Sequence, residues 1–558
     1  MSKIDYVVMA IFAVLILSIG MAFTRKGSKS SSSFFEAGGE TPWWINGLSL
    51  FISYFSAGTF VVWGSIAYKY GLVSNGIQIS MALAGFFVAI FIAGKWKKIG
   101  AVTAAEYIGK RFGVKPQQFY TILIMLYSLF STAAVLYPVG KMVNVVTGLP
   151  INACILVIGA IIILYTAAGG LWAVLVTDVV QFVILTAAVF IVIPLAIQHV
   201  GGMQNFTSKA PPDFFNFLNS EYSIGFFLAF TAYQTVYIGG NWAYVQRYTS
   251  VSSVPNARKV AYLFTGLYLI SPFIWMLPPM IYRVLNPNLT GLQAEGAYML
   301  ICQQVLPAGL IGLVLSGMVS ATASKANTTI NLVAVVFAHD VYKKIIRPGA
   351  SEKNLIAAAR FFTVLFGTLT ILIAMMVPLV GGIVEMVLST ASIAGGALFA
   401  PIIWSLYSKK QTASSIVLAS LAGLIISLFF KLLAPGLLGI KLSRVWETAL
   451  GVCIPLIILA VTELVNKAQP VPLEIASFDQ SDKSQTKTSS GEIHEQAQQQ
   501  NIFGIKVIAI SIGIVGVGVF ILGTIAHQGS VAMIVGGIIA MAFLPIWRAA
   551  IKIQKSII

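Results

Sequence analysis

A lysine lies deep within an apolar stretch of the chain, where Lys325 interrupts the segment 312–329. Hydroxyl and amide side chains recur around it at helical spacing, namely Ser316, Ser320, Ser324, Asn327 and Asn331. On a helix these side chains share one face, which is therefore wet or buried in protein and does not face lipid. Because an ionisable group within a membrane-spanning helix is costly and usually functional, Lys325 predicts a site that handles charge.

Two further stretches carry small and polar residues where an apolar helix would be expected. The segment 49–60 contains serines, a glycine and a threonine, and the segment 233–242 ends in Gly-Gly-Asn-Trp. Helices that unwind at corresponding places in two inverted halves indicate the midplane site of a transporter. Unpaired backbone is tolerated there only where it lines a cavity or binds an ion. The alternative is that the small residues merely allow close helix packing.

The elements that hold these residues are apolar helices. The chain is 58% hydrophobic and 9% charged with a mean hydropathy of +0.89, which excludes a soluble globular protein. About fifteen stretches are long enough to cross a bilayer, for which roughly 20 apolar residues suffice. We therefore expect an all-α polytopic membrane protein. The first apolar run, residues 6–23, has full span length and is expected to be retained, not removed as a signal peptide.

The net charge of +17 reflects lysines and arginines that collect in alternate loops. One such loop is expected to hold Arg247, Arg258 and Lys259. The positive-inside rule places these loops in the cytoplasm, the N-terminus outside and the C-terminus inside. Residues 466–502, rich in Gln, Ser, Lys and Glu, are expected to form a flexible cytoplasmic linker.

The order of spans and loops predicts seven regions. They are a leading helix and cytoplasmic loop (1–36), a first repeat (37–198), an extracellular loop (199–222), a second repeat (223–410), additional helices (411–465), the linker (466–502) and C-terminal helices (503–558).

Residues 165–181, which read YTAAGGLWAVLVTDVVQ, closely resemble the signature of the sodium/solute symporter family, which includes sodium-coupled sugar, proline and sialic acid transporters. Further similarities lie at residues 38–44, at Asn241 with 246–247, and through 312–342. The resemblance covers about residues 37–465. It implies a LeuT-type 5+5 inverted repeat with one preceding and several following transmembrane helices, about 14–15 in total.

The resemblance also implies a sodium site between the second and ninth spans. Its ligands would be the carbonyls of Ile52, Phe55 and Ala321 and two adjacent serine hydroxyls, of which the first is Ser324. The second serine position holds Lys325 in this chain. Two unit charges of the same sign 4 Å apart repel by about 4 kcal/mol at an effective dielectric constant of about 20, or roughly a thousandfold in affinity.

Some family members carry a second sodium site, whose positions correspond here to Asn327, Thr328 and Asp178. Asp178 is then the natural partner of Lys325. The ammonium either replaces the sodium, takes up and releases a proton during transport, or forms a static ion pair that joins two spans.

For the solute the resemblance implies a pocket between the two interrupted spans. Positions that carry sugar-binding side chains in related transporters hold Thr59, Gln78, Gln234, Tyr268 and Leu388 here. Tyr237 matches the position of an aromatic gate over the solute, and Ser56 is a further candidate solute-binding residue. Leu388 and Met81 offer no hydrogen bonds, so polyols or sugars, carboxylates, amino acids and vitamins all remain candidate solutes.

These features predict a secondary active transporter that imports a small polar solute, with Na⁺ coupling put in question by Lys325. Proton-coupled or uncoupled transport, and a solute sensor without transport, are the alternatives. We expect no enzymatic activity and no nucleic-acid partner, with Na⁺ as the one candidate cofactor. We also expect a plasma-membrane location in contact with lipid, with a homo-oligomer as a candidate assembly.

Overall fold

The computed structural model describes residues 1–27, 41–100, 104–165, 171–337, 342, 347, 349, 351–468, 490–526 and 529–555. Within these ranges only the backbone is described for residues 20–27, 164–165, 171–173, 327–328, 331–332, 334–336, 352–353, 356 and 490–497. Residues 166–170 of the signature and residues 38–40 of the preceding motif lie outside this set.

The described chain is built from helices and contains no strand within those ranges. The first half comprises α1 (Lys3–Gly27), α2 (Trp43–Ile52), α3 (Gly64–Tyr70), α4 (Val73–Phe87), α5 (Ala93–Ile99), α6 (Ala104–Phe112), α7 (Val114–Thr147), α8 (Ile151–Tyr165), α9 (Leu171–His199), α10 (Met203–Lys209), α11 (Ile224–Gly240) and α12 (Trp242–Thr249). The second half comprises α13 (Val254–Trp275), α14 (Leu277–Leu285), α15 (Ala297–Val305), α16 (Leu310–Phe337), α17 (Glu352–Met376), α18 (Ile383–Thr390), α19 (Gly396–Ser405), α20 (Ala413–Leu428), α21 (Ala434–Leu437), α22 (Arg444–Val465), α23 (Ser490–Ile525) and α24 (Ser530–Lys555).

Within the described residues ten helices, some made of two consecutive elements, are long and apolar enough to cross a membrane. Shorter apolar helices at 43–52, 151–163 and 310–326 add to them. π-helical turns at 59–63 and 391–395 continue into α3 and α19. The predicted apolar stretches thus correspond to helices, and the chain is a multi-pass membrane protein.

The linker prediction differs from the structure at one end. Residues 490–502, expected to be flexible, form the first turns of α23. The Gln- and Glu-rich composition that suggested a polar linker also favours a helix when it continues into an apolar span. Residues 469–489 of the predicted linker lie outside the described residues.

The packing around the candidate site brings distant parts of the chain together. Helix α9 packs against α2 and α16, and α13 packs against α2 and α4. Small residues allow a close approach between α22 and the turn at 391–395 that leads into α19. A Cβ on Gly451 would lie 1.7 Å from the Ser392 carbonyl oxygen, and one on Gly396 would lie 2.1 Å from the Gly451 carbonyl oxygen. This contact follows the small-residue packing typical of membrane helices.

An ion-pair network joins α18 to α22 and to the loop before α11. The Lys431 ammonium lies 2.7 Å from Glu385 and 3.0 Å from Glu447, and Arg444 lies 3.2 Å from Glu385 and 2.6 Å from Glu221. Glu385 therefore links the first turn of α18 to Lys431 and to Arg444 at the start of α22. Because these side chains are partly exposed, each pair contributes modestly.

Gly451→Ala tests the close packing. The added methyl group has no space against the Ser392 carbonyl, so we expect α22 and α19 to be pushed apart at a cost of about 2 kcal/mol or more. The readout is the melting temperature in detergent. Gly518→Ala in α23 is the matched control, because a Cβ at that position meets nothing within 4 Å. An equal melting temperature for both variants would contradict the packing.

Candidate functional site

The first interruption lies between α2 and the π-helical turn at 59–63, and Thr59 holds it. The Thr59 hydroxyl donates to the Tyr54 carbonyl (2.7 Å) and accepts from the Ser56 amide (3.2 Å). The Thr59 amide donates to the Ser56 carbonyl (2.9 Å). In a continuous helix the amides of residues 56 and 59 would donate to the carbonyls of Ile52 and Phe55. Both carbonyls therefore lose their usual helical donors.

The second interruption is narrower than the sequence suggested. Helix α11 continues to Gly240, and Asn241 alone adopts an extended backbone, with its side chain accepting from the Ala243 amide (3.0 Å) to cap α12. The two glycines that suggested unwinding serve close packing instead. A Cβ on Gly239 would lie 2.7 Å from Ile92, and one on Gly240 would lie 2.8 Å from Phe399.

Asp178 is buried at the junction of α2, α9, α12 and α16. It accepts from Ser49 (2.6 Å) and Ser324 (3.3 Å), and its carboxylate lies 4.0 Å from the Arg247 guanidinium. Arg247 also donates to Ser49 (3.3 Å) and to the Ala243 carbonyl (2.8 Å). Arg247 thus provides the opposite charge for Asp178, and Ser49 forms hydrogen bonds with both side chains.

The expected pairing of Asp178 with Lys325 is therefore wrong in this structure. Ser324 faces Asp178, and the next residue on a helix projects about 100° further around the axis. The Lys325 side chain consequently points away from the carboxylate. Among the described residues, its ammonium forms no ion pair and no hydrogen bond.

Lys325 instead faces two adjoining cavities. The basal cavity lies between α2, α7, α9, α12 and α16 and is lined by Ile52, Ala321, Ser324, Lys325, Asp178 and Arg247, among others. The second interruption, at Asn241, also lines the basal cavity. The central cavity adjoins the basal cavity and lies between the first interruption, α7, α11 and the end of α18. The residues common to both linings are Tyr127, Ser131, Tyr237, Tyr244 and Lys325.

The predicted ion-site residues are largely brought together by the fold. Ile52, Ala321, Ser324, Lys325 and Asp178 line the basal cavity. Phe55 is fully buried, and its ring stacks on that of Trp275 with the two ring centroids 3.3 Å apart. The side chains of Asn327 and Thr328 lie outside the described residues.

The predicted solute residues divide into two groups. Ser56, Thr59, Gln234 and Tyr237 line the central cavity. Gln78 and Tyr268 do not line it, but both are fully buried, and neither the Gln78 side-chain carbonyl nor the Tyr268 hydroxyl has a hydrogen-bond partner within the described part of the chain.

The ring of Tyr54 lies between Tyr268 and the central cavity, with its centroid 6.0 Å from those of Tyr268 and Tyr237. Its hydroxyl donates to Gln234 (3.4 Å). Buried polar groups without partners are rare in proteins and call for an explanation. A shift of Tyr54 would open the cavity toward Tyr268.

Sequence reasoning missed the role of Arg247. It was assigned to a basic loop, but it is 3% exposed within α12 and is the partner of Asp178. Its position six residues after Asn241 (247 − 241), less than two helical turns beyond the interruption, is the signal that could have placed it in the bundle. The aromatic layer of Tyr127, Tyr233 and Tyr244 was also missed, because tyrosines in apolar spans resemble ordinary packing.

Comparisons with known proteins find related membrane transporters. A profile described as "Sodium:solute symporter family" matches residues 34–423. A sodium/glucose cotransporter of Vibrio parahaemolyticus is 27% identical over 473 residues, covering 77% of this chain and 86% of that protein. A sodium/iodide cotransporter of Homo sapiens is 28% identical over 449 residues, covering 77% and 69%. Both relatives are transporters and not enzymes.

A solved structure shares the fold. The substrate-bound outward-open state of a Na⁺-coupled sialic acid symporter superposes with a TM-score of 0.68 at 22% identity, covering 84% of this chain and 99% of that chain. The predicted LeuT-type fold is thereby confirmed.

Asp178→Asn tests the buried charge pair. The change leaves the Arg247 guanidinium without its counter-charge, so we expect destabilisation of about 3 kcal/mol. The double variant Asp178→Asn/Arg247→Gln should lose less stability than the sum of the losses of the two single variants. Thermal unfolding in detergent measures both. Strictly additive losses would show that the two side chains do not stabilise each other.

Thr59→Val tests the first interruption. It removes the hydroxyl that satisfies the Ser56 amide and the Tyr54 carbonyl, at an expected cost of about 1–3 kcal/mol. Thr59→Ser retains the hydroxyl and should retain most of the stability. If the two variants melt at the same temperature, the hydroxyl does not hold the interruption open.

Proposed function

Since the chain belongs to the sodium:solute symporter family, we propose that it is a secondary active transporter that imports a small polar organic solute by alternating access. Its N-terminus would lie outside the plasma membrane and its C-terminus in the cytoplasm, as the distribution of lysine and arginine indicates. The observation that carries the proposal is the pair of adjoining cavities, of which the central one is lined by the first helix interruption and the basal one by the second, at Asn241.

The solute is proposed to bind in the central cavity. Ser56, Thr59, Gln234 and Tyr237 supply hydrogen-bonding groups on its wall. The unpartnered hydroxyl of Tyr268 would be reached when Tyr54 moves aside, and Gln78 has an unpartnered side-chain carbonyl. A solute that binds these atoms would remove the cost of burying them unpaired.

Alternating access is supported by the tyrosine rings where the two cavities adjoin. Tyr127, Tyr237 and Tyr244 line both cavities. The ring centroids of Tyr237 and Tyr244 lie 5.6 Å apart, and those of Tyr54 and Tyr244 lie 5.2 Å apart. Movement of α2 and α12, which carry the helix halves below the two interruptions, would open the passage toward the cytoplasm.

We further propose that the Lys325 ammonium replaces the sodium ion expected between α2 and α16. An ammonium offers three N–H donors, and the carbonyls of Ile52 and Phe55 lack their helical donors. The Asp178 carboxylate, which belongs to the second family sodium site, is already engaged by Arg247 and Ser49. Solute transport would then be independent of Na⁺: a proton gradient would drive it as secondary active transport, and without proton coupling the protein would be an uncoupled transporter.

The test is uptake into proteoliposomes of a solute selected by thermal-stability screening, in Na⁺ and in Na⁺-free buffer, with and without a pH gradient. We expect the wild-type protein to take up the solute equally in both buffers. Lys325→Ser restores the second serine of the family site and removes a nearby positive charge. Its sodium affinity should therefore rise by about a thousandfold, and its uptake should become sodium-dependent.

Lys209→Ser is the matched control, because Lys209 is exposed at the end of α10, outside both cavities. Its uptake should equal that of the wild-type protein. Wild-type uptake that stops in Na⁺-free buffer would contradict the replacement of sodium by Lys325. A protein that binds the solute but transports none would contradict the transporter assignment.

A further inference from the structure

Three charged side chains lie around the two cavities in the part of the chain that the structure describes, and their charges do not cancel. Arg247 and Asp178 neutralise each other across 4.0 Å. Lys325 has no ion pair within the described residues. The site therefore carries one excess positive charge, and it lies at the junction of the two cavities.

A buried ammonium without a counter-charge is unfavourable in a bundle of apolar helices. The central cavity provides no such counter-charge, because Lys325 is the one charged side chain among its described lining residues. Carbonyl oxygens can accept its hydrogen bonds but carry no net charge. The compensating negative charge must then come from what occupies the cavity.

We propose that the transported solute is an anion, a small monocarboxylate whose charged group pairs with Lys325. This inference rests on the proposed transport function and names its substrate class. A neutral sugar or polyol would leave the ammonium uncompensated. A zwitterionic solute would need an acceptor for its cationic group, and the described lining offers no carboxylate for it.

The two ends of the cavity suggest how such a solute is oriented. The junction with the basal cavity holds Lys325, Ser131 and the hydroxyls of Tyr237 and Tyr244. All of them can donate hydrogen bonds to carboxylate oxygens. Residues that line the central cavity alone include Trp63, Met81 and Phe230, an apolar wall. The carboxylate would face the junction, and an apolar or planar body would lie against this wall.

The experiment measures the thermal stability of the purified full-length protein with matched pairs of solutes. Each pair has one carbon skeleton, as the carboxylate and as its primary amide: acetate and acetamide, lactate and lactamide, benzoate and benzamide, nicotinate and nicotinamide. Carboxylates are added as potassium salts, with potassium chloride balancing the amide arms. We expect at least one carboxylate to raise the melting temperature while its amide does not.

Lys325→Met keeps the length and the apolar stem of the side chain and removes its charge. We expect it to bind the stabilising carboxylate roughly 30-fold more weakly or worse, the usual consequence of removing one partner of a buried charge pair. Lys325→Arg keeps the charge and should keep most of the binding, which guards against a methionine variant that fails to fold. Lys209→Met is the matched exposed control and should bind like the wild-type protein.

Three results would overturn the inference: stabilisation by amides as strong as by carboxylates, carboxylate binding that survives in Lys325→Met, or no stabilisation by any carboxylate of the set. Uptake into proteoliposomes separates this inference from the transport function. Uptake confined to neutral solutes would refute the anion and leave the transporter. Carboxylate binding without uptake would refute the transporter and leave the anion as the ligand.

Discussion

A charge inside a bundle of apolar helices needs an opposite charge, and this requirement organises the centre of the molecule. Asp178 and Arg247 satisfy it for each other, with Ser49 between them. Lys325 does not find an acid and faces the cavities instead. In the proposed mechanism, the choice of driving ion and the choice of solute depend on this one side chain, because the same ammonium disfavours a sodium ion and attracts an anion.

Two backbone carbonyl groups at the first interruption are candidate ligands for a cation. Thr59 redirects two amides of the first interruption, so that the carbonyls of Ile52 and Phe55 lose their helical donors. Such groups persist at membrane depth only beside a cavity or an ion. A sodium ion and a lysine ammonium can both satisfy carbonyl oxygens, but the ammonium is fixed to α16 and cannot leave with the solute. In the proposed mechanism, Lys325 therefore keeps a positive charge at this position that is not transported with the solute.

The sequence was sufficient for the helical class, for most span positions and for the two interrupted helices, because hydropathy and small polar residues act locally. It identified Lys325 for the same reason. It did not identify the partner of Asp178, since pairing depends on the angle between Ser324 and Lys325 around α16 and on Arg247, which is 69 positions away in the chain (247 − 178). It also placed Gln78 and Tyr268 on the solute cavity, whereas Tyr54 lies between Tyr268 and the cavity and Gln78 does not line it. Packing of aromatic rings decides such details, and composition does not encode it.

Equilibrium binding of radioactive sodium to the purified protein tests the central claim most directly, because it needs neither a solute nor transport. The wild-type protein is predicted to bind no sodium at concentrations at which Lys325→Ser binds one ion per chain, and Lys209→Ser should behave as the wild-type protein does. Saturable binding of one sodium ion to the wild-type protein, with an affinity equal to that of Lys325→Ser, would contradict the claim that the lysine ammonium stands in place of the ion.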